Sequence, residues 1–128
     1  MKYWMGCTAM ELIDTSVFVA YFNEDDELHE QALGKDYSDG ATNSLVLCEV
    51  ANVLEKRLKD KKMAVHCLKQ LMEKVKLVAL PEEQIMETIG AFDKHYGKLS
   101  FTDCSLLVQA KNLKAGLITF DEKLKKAT

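Results

Sequence analysis

The chain has 128 residues, 48% apolar and 29% charged, with a net charge of −3. That size suits one domain that buries its own core without disulfide staples. The negative balance excludes a surface coated uniformly for nucleic acid, while leaving room for local basic patches.

In chain order, residues 1–9 hold one lysine and a few apolar side chains. They are too short and too mixed for a signal peptide and read as an N-terminal extension, so the domain itself is expected to span residues 10–128. Residues 10–13 are strand-like and end at Asp14. Residues 15–22 read as a helix with Val17, Phe18 and Tyr21 on one side, and residues 27–33 as a second short helix closed by Gly34. A turn at Asp39 and Gly40 leads into a brief strand. Residues 44–60 carry Leu47, Ala51, Leu54 and Leu58 at helical spacing, and the first half of that helix is apolar nearly all round, so it is expected to be covered on two sides. Residues 61–75 form another helix, with Leu68, Leu71, Met72 and Val75 inward. Residues 76–80 read as a strand stopped by Pro81, which suits the first turn of the next helix. That helix runs to about Tyr96 and ends at Gly97. A helix over residues 100–115 ends at Gly116, a strand covers 117–119, and 121–126 form a last helical turn or two.

Strands that alternate with helices or helix pairs predict an α/β fold, with a parallel sheet and helices on its faces. No apolar run is long enough to span a bilayer. Cys7, Cys48, Cys67 and Cys104 form no C-x-x-C pair, so neither a zinc site nor a disulfide framework is indicated. Cys48 and Cys104 sit in apolar runs and read as small core residues, and a reducing, cytoplasmic setting fits. His29, His66 and His95 form no ligand-spaced pair and read as surface or cap residues.

In a parallel sheet, strand C-terminal ends and helix N-terminal ends share one edge, where open α/β sheets place their ligands. Asp14 follows the first strand and Asp121 the last. Asp103 lies in the first turn of its helix, and Glu49 about one and a half turns into another. Each aspartate also fits a helix cap: Asp14 before Thr15, Asp103 in a capping box with Ser100, Asp121 at the final helix. Glu49 is too deep in its helix to cap it, and a carboxylate with apolar neighbours is costly unless paired or bound to a cation. Like charges about 4 Å apart repel by several kcal/mol at a near-surface dielectric, so converging acids either take up protons or hold a cation. Oxygen-only donors select a hard ion, Mg²⁺ or Mn²⁺.

The ordered segments Ile13-Asp14-Thr15-Ser16, Ser44-Leu45-Val46-Leu47-Cys48-Glu49, Leu99-Ser100-Phe101-Thr102-Asp103 and Thr119-Phe120-Asp121 resemble the PIN-domain nucleases, especially the VapC-type toxins of toxin–antitoxin pairs. The resemblance covers nearly the whole chain after Met10. It implies a three-layer α/β/α domain with a central parallel sheet of about four strands. It also implies a metal-dependent ribonuclease whose acidic site is Asp14, Glu49, Asp103 and Asp121, with water, activated by the metal, attacking a phosphodiester. Asp14 and Asp103 are the expected direct ligands. Glu49 and Asp121 are expected to bind through water, position the nucleophile or hold a second ion. Thr15 and Thr119 are expected to orient the carboxylates. An RNA substrate, an antitoxin partner and a homodimer follow from the same resemblance. Family members usually add a final edge strand after the last aspartate, which this chain is expected to lack.

Lys56, Arg57, Lys59, Lys61 and Lys62 form one basic run, and Lys123, Lys125 and Lys126 another, with Lys98 near Asp103. The C-terminal lysines are the better RNA candidates because the topology sets them near the acidic edge. Three other readings compete. A haloacid-dehalogenase-like phosphatase needs a second aspartate where Ser16 stands. A response-regulator receiver needs paired N-terminal acids and a late lysine, and neither is evident. A non-catalytic PIN-like RNA-binding or scaffold module commonly loses one or more of the acids, and this chain keeps all four.

Overall fold

The computed structural model describes residues 10–128; the extension assigned to residues 1–9 lies outside them. The elements run β1 (Glu11–Ile13), α1 (Thr15–Phe22), α2 (His29–Leu33), β2 (Gly40–Thr42), α3 (Ser44–Leu58), α4 (Lys61–Lys74), β3 (Lys76–Leu77), α5 (Glu82–Lys94), α6 (Phe101–Leu113), β4 (Gly116–Ile118) and α7 (Glu122–Ala127). The four strands form one parallel sheet in the order β3-β2-β1-β4. Helices layer it into the expected three-layer α/β/α architecture: α1 packs on α2 and α3, α3 on α4, and α5 along α6.

The central strand is buried on both faces, as parallel sheets require, with Leu12 and Ile13 both fully enclosed. Around them sit Val17 of α1, Val46, Val50 and Leu54 of α3, Leu71 of α4, Leu106 of α6 and Leu124 of α7. Each such side chain contributes about 1.5–3 kcal/mol by leaving water. Gly40 allows β2 to approach β1 closely, because a Cβ there would meet Ile13 Cδ1 at 2.7 Å and the Tyr37 carbonyl oxygen at 2.9 Å.

Two features of this topology position the site. The chain adds β2 and then β3 on one side of β1, and returns to add β4 on the other. The reversal makes the β1–β4 boundary a topological switch point, the place where open α/β sheets hold ligands. In addition, α3 begins two residues after Thr42, and α4 ends three residues before Leu77, Thr42's partner on β3. The two helices, of 15 and 14 residues, therefore form a hairpin whose turn at Lys59 and Asp60 lies about 22 Å out along α3.

Several local expectations are corrected. β3 spans only Lys76–Leu77 rather than residues 76–80. The two-sided apolar character of α3 does not mean cover on both sides: Val46, Val50 and Leu54 are buried, whereas Cys48 is exposed and not a core residue. Met72, expected inward, is 46% exposed. Leu47, Cys48 and Ala51 of α3 instead face Val65, Leu68 and Met72 of α4 across an open apolar groove. Among the described residues no helix is long and apolar enough to cross a membrane.

Candidate metal centre

The switch point puts the ends of β1 and β4 side by side, with the Asp14 N–H donating to the Ile118 carbonyl at 3.2 Å. Asp14 occupies the residue before α1, where an aspartate would ordinarily cap the helix, yet its side chain makes no cap hydrogen bond. Its two oxygens are held by other groups. Ser16 Oγ donates to Oδ1 at 2.6 Å and Thr119 Oγ1 to Oδ2 at 2.7 Å. Each oxygen keeps a lone pair beyond the one it shares. Asp14 is only 3% exposed.

Thr119 does more than accompany the acids. Its hydroxyl donates to Asp14 and accepts the Asp121 N–H at 2.9 Å, locking the loop after β4 onto the loop after β1. Ser16 repeats the link from the other side by accepting the Phe120 N–H at 3.1 Å. Thr15 Oγ1 donates to Glu49 Oε1 at 2.7 Å, tying α3 to the start of α1.

Asp103 and Asp121 combine two duties. Asp103 completes the capping box of α6: Oδ2 accepts the Ser100 N–H at 3.2 Å while Ser100 Oγ accepts the Asp103 N–H at 3.0 Å. Asp121 Oδ1 caps α7 by accepting the N–H groups of Lys123 and Leu124 at 2.8 and 3.3 Å. Each carboxylate thus fixes one oxygen on a helix end and leaves the other unengaged by the hydrogen bonds that cap it.

Electrostatics couple the four. Burial pushes the Asp14 carboxyl above its usual range; the Ser16 and Thr119 hydroxyls and the nearby Val17 N–H pull it back, and the charge on Asp103 raises it again. Burial likewise raises Asp103, against the Ser100 hydrogen bonds, with further upward pressure from Asp121 and Glu49. Among the described residues the one ion pair is Lys125–Glu122 at 3.4 Å, so none of the four acids has a cationic partner.

Among the described residues no three acidic, histidine or cysteine side chains already form a closed ligand set. That is compatible with a hard divalent ion, because Mg²⁺ keeps several waters and is commonly held by only one or two carboxylates. The donor chemistry fits such an ion: oxygen only, one carboxylate buried without a counter-charge among the described residues, and hydroxyls that orient it.

A polar network that the sequence reading missed supports the site from below. Asn43 caps α3 through Oδ1, which accepts the Val46 N–H at 3.0 Å, and its Nδ2 donates to Ser105 Oγ at 3.0 Å and Gln109 Oε1 at 2.8 Å. Asn43, Ser105 and Gln109 are fully buried. The network joins α3, which carries Glu49, to α6, which carries Asp103. Ser16 was likewise given no role, although it lies in the same short segment as Asp14.

The family model of the PIN domain matches residues 12–128. The chain belongs to the PIN domain family. No curated protein sequence matches it significantly. Among solved structures, this PIN domain is similar to VapC20 of Mycobacterium tuberculosis, described as a sarcin-ricin loop cleaving toxin, with a TM-score of 0.80 at 20% identity over 91% of this chain and 94% of that one. It is similar also to PAE2754 of Pyrobaculum aerophilum, with a TM-score of 0.71 at 23% identity over 94% and 86% of the two chains. VapBC2 of Rickettsia felis, solved with a DNA fragment from its promoter, gives 0.68 at 17% identity over 91% and 92%. At these identities the likeness speaks to the fold. In this PIN domain Asp14 and Asp121 follow β1 and β4 at the switch point, while Asp103 lies in the first turn of α6 and Glu49 on α3.

Proposed function

We propose that the chain is a metal-dependent ribonuclease, the toxin of a toxin–antitoxin pair, with Asp14, Glu49, Asp103 and Asp121 as its site. The observation that carries this reading is Asp14: a nearly buried carboxylate without a cationic partner among the described residues, oriented by two hydroxyls and released from helix capping. Such a group is costly in a folded chain unless it is protonated or neutralised by a cation.

Asp14 and Asp103 would hold the ion, Mg²⁺ or Mn²⁺. Bound there, it would acidify a water and neutralise charge on the phosphoryl oxygens. The protein's own residues do the rest. Glu49, fixed through Oε1 by the Thr15 hydroxyl, keeps Oε2 to accept the proton of the attacking water. Asp121, fixed through Oδ1, keeps Oδ2 free of its cap and can hold a water or a second ion. Ser16 and Thr119 keep Asp14 in register through every turnover.

The antitoxin belongs to the same reading. The open apolar groove between α3 and α4, lined by Leu47, Ala51, Leu68 and Met72, suits an apolar segment of such a partner. The exposed Ile85, Met86 and Ile89 of α5 supply apolar surface for a homodimer.

The test is cleavage of a labelled single-stranded RNA with Mg²⁺ or Mn²⁺, comparing wild type with Asp14→Asn and Asp103→Asn. Metal-dependent cleavage lost in both variants supports the assignment. Cleavage that persists in EDTA, or that survives in both variants, overturns it, as does a wild-type chain that cleaves no RNA and takes up no metal in calorimetry.

A further inference from the structure

Beside the acids lies a second feature that metal binding does not use. The loop after α5 and the outer face of α7 enclose an open cleft of about 490 Å³, lined by His95, Lys98, Leu99, Lys123, Lys126 and Ala127. Three of the six residues are lysines and none is acidic. None of these lysines has an ion-pair partner among the described residues, where Lys125 alone is paired. Lys123, Lys126 and Ala127 share one face of α7 through their three- and four-residue spacing. Leu99 is buried and Ala127 half-buried, so the cleft has an apolar floor beneath a cationic rim.

Its position is fixed by the same loops that deliver the acids. Leu99 directly precedes Ser100, the cap that holds Asp103, and the Lys123 N–H is itself bound to Asp121 Oδ1. The cationic cleft and the acidic cluster therefore flank one another, four residues of backbone apart from Leu99 to Asp103 and two from Asp121 to Lys123. A polyanion benefits from such a pair. One phosphate approaches the acids through a cation, while its neighbours meet lysines, which bind phosphate as compact point charges. The other basic surface, formed by Lys61, Lys62, His66 and Lys69, lies on α4: Lys61 and Lys62 stand at the tip of the helical hairpin, and Lys69 comes back along α4 to line the open groove with Leu47 and Cys48.

We infer that the cleft of Lys98, Lys123 and Lys126 is an RNA-backbone subsite, which grips a phosphate flanking the scissile one and so sets the path of the strand across the acids. The inference rests on the ribonuclease reading above. It assigns RNA affinity to this cleft rather than to the longer basic run at the hairpin.

The experiment measures fluorescence anisotropy of a labelled single-stranded RNA in EDTA, where binding is read without cleavage, over a range of salt. Wild type is compared with the triple variant Lys98→Ala, Lys123→Ala, Lys126→Ala and with a charge-matched triple variant, Lys61→Ala, Lys62→Ala, Lys69→Ala. All the substituted side chains are exposed, and thermal melts check that the fold is kept; Lys123→Glu alone serves as a second probe of the cleft. The cleft variant is expected to bind at least about 10-fold more weakly, with the salt slope falling by about 0.7 for each phosphate that no lysine neutralises any longer. With metal restored, its KM should rise while kcat at saturating RNA stays near wild type. The hairpin variant should bind less than about threefold more weakly. Equal losses in both variants, or a cleft variant that binds as wild type does, overturn the subsite and leave the nuclease standing. A wild-type chain that neither binds nor cleaves RNA overturns both.

Discussion

Replacing Asn43 by alanine is expected to cost far more stability than a single exposed cap, because one side chain serves three partners inside the protein. The Oδ1 cap on Val46 is worth about 1 kcal/mol. The two Nδ2 bonds satisfy Ser105 and Gln109, both fully buried. Deleting Nδ2 leaves Gln109 Oε1 without its donor, a penalty of about 1–3 kcal/mol, with a smaller loss at Ser105, whose own proton still goes to the Thr102 carbonyl. The sum is about 3–4 kcal/mol, a large share of the 5–15 kcal/mol typical of a domain. At this chain length that lowers Tm by about 10–15 °C. Urea denaturation followed by circular dichroism measures it. Asn43→Ser separates the parts, since serine keeps the cap but not the amide donors, and should recover about 1 kcal/mol. An Asn43→Ala variant within about 0.5 kcal/mol of wild type, or a serine variant fully as stable as wild type, refutes the network's role.

Two further outcomes follow from the acids and their hydroxyls. Burial raises both Asp14 and Asp103 above the ordinary 3.8, so in metal-free protein folding favours their protonated forms. That stability is fully present below 3.8 and is lost as pH rises through the raised folded values. Unfolding free energies measured in EDTA should therefore fall from about pH 4 upward, and less so in Asp14→Asn, which cannot ionise. At pH 7, Mn²⁺ should raise the melting temperature of wild type but hardly that of the variant. Thr119→Val removes the hydroxyl that serves both Asp14 and Asp121 and should lower metal affinity or cleavage about 10–100-fold with the fold retained, as read by calorimetry and RNA turnover.

Much of the fold was legible because its signals are local. Gly40, Pro81 and the apolar spacing of α3 place breaks and helices to within a few residues, and Ser100 with Asp103 announces the capping box that is observed. The helix ends were less legible: α3 and α6 close on Lys59 and Lys114 in left-handed conformations, with φ of 51° and 54°, where glycine is the usual signal. The apolar patterns of α3 and α4 do not distinguish a buried face from an open groove, which is why Cys48 and Met72 stand exposed against expectation.

The candidate site was legible as a set of acids, but the weight within that set shifts. Glu49 was the residue that ordinary capping could not explain; it is half-buried and answered by Thr15. Asp14 looked like a cap and is not one, because its oxygens turn to Ser16 and Thr119, the latter 105 residues away in sequence. Asn43, Ser105 and Gln109 read as ordinary polar residues for the same reason: their partners lie 62 and 66 positions apart, and only the folded chain brings them together.

The most direct test of a metal centre at the β1–β4 switch point is anomalous scattering from crystals grown with Mn²⁺, recorded at the manganese edge. The account predicts a peak about 2.1 Å from carboxylate oxygens of Asp14 and Asp103, with Glu49 and Asp121 within reach of its waters, and no such peak in crystals of Asp14→Asn. A wild-type crystal that holds manganese only elsewhere, while the protein in solution cleaves RNA with Mn²⁺, would contradict it.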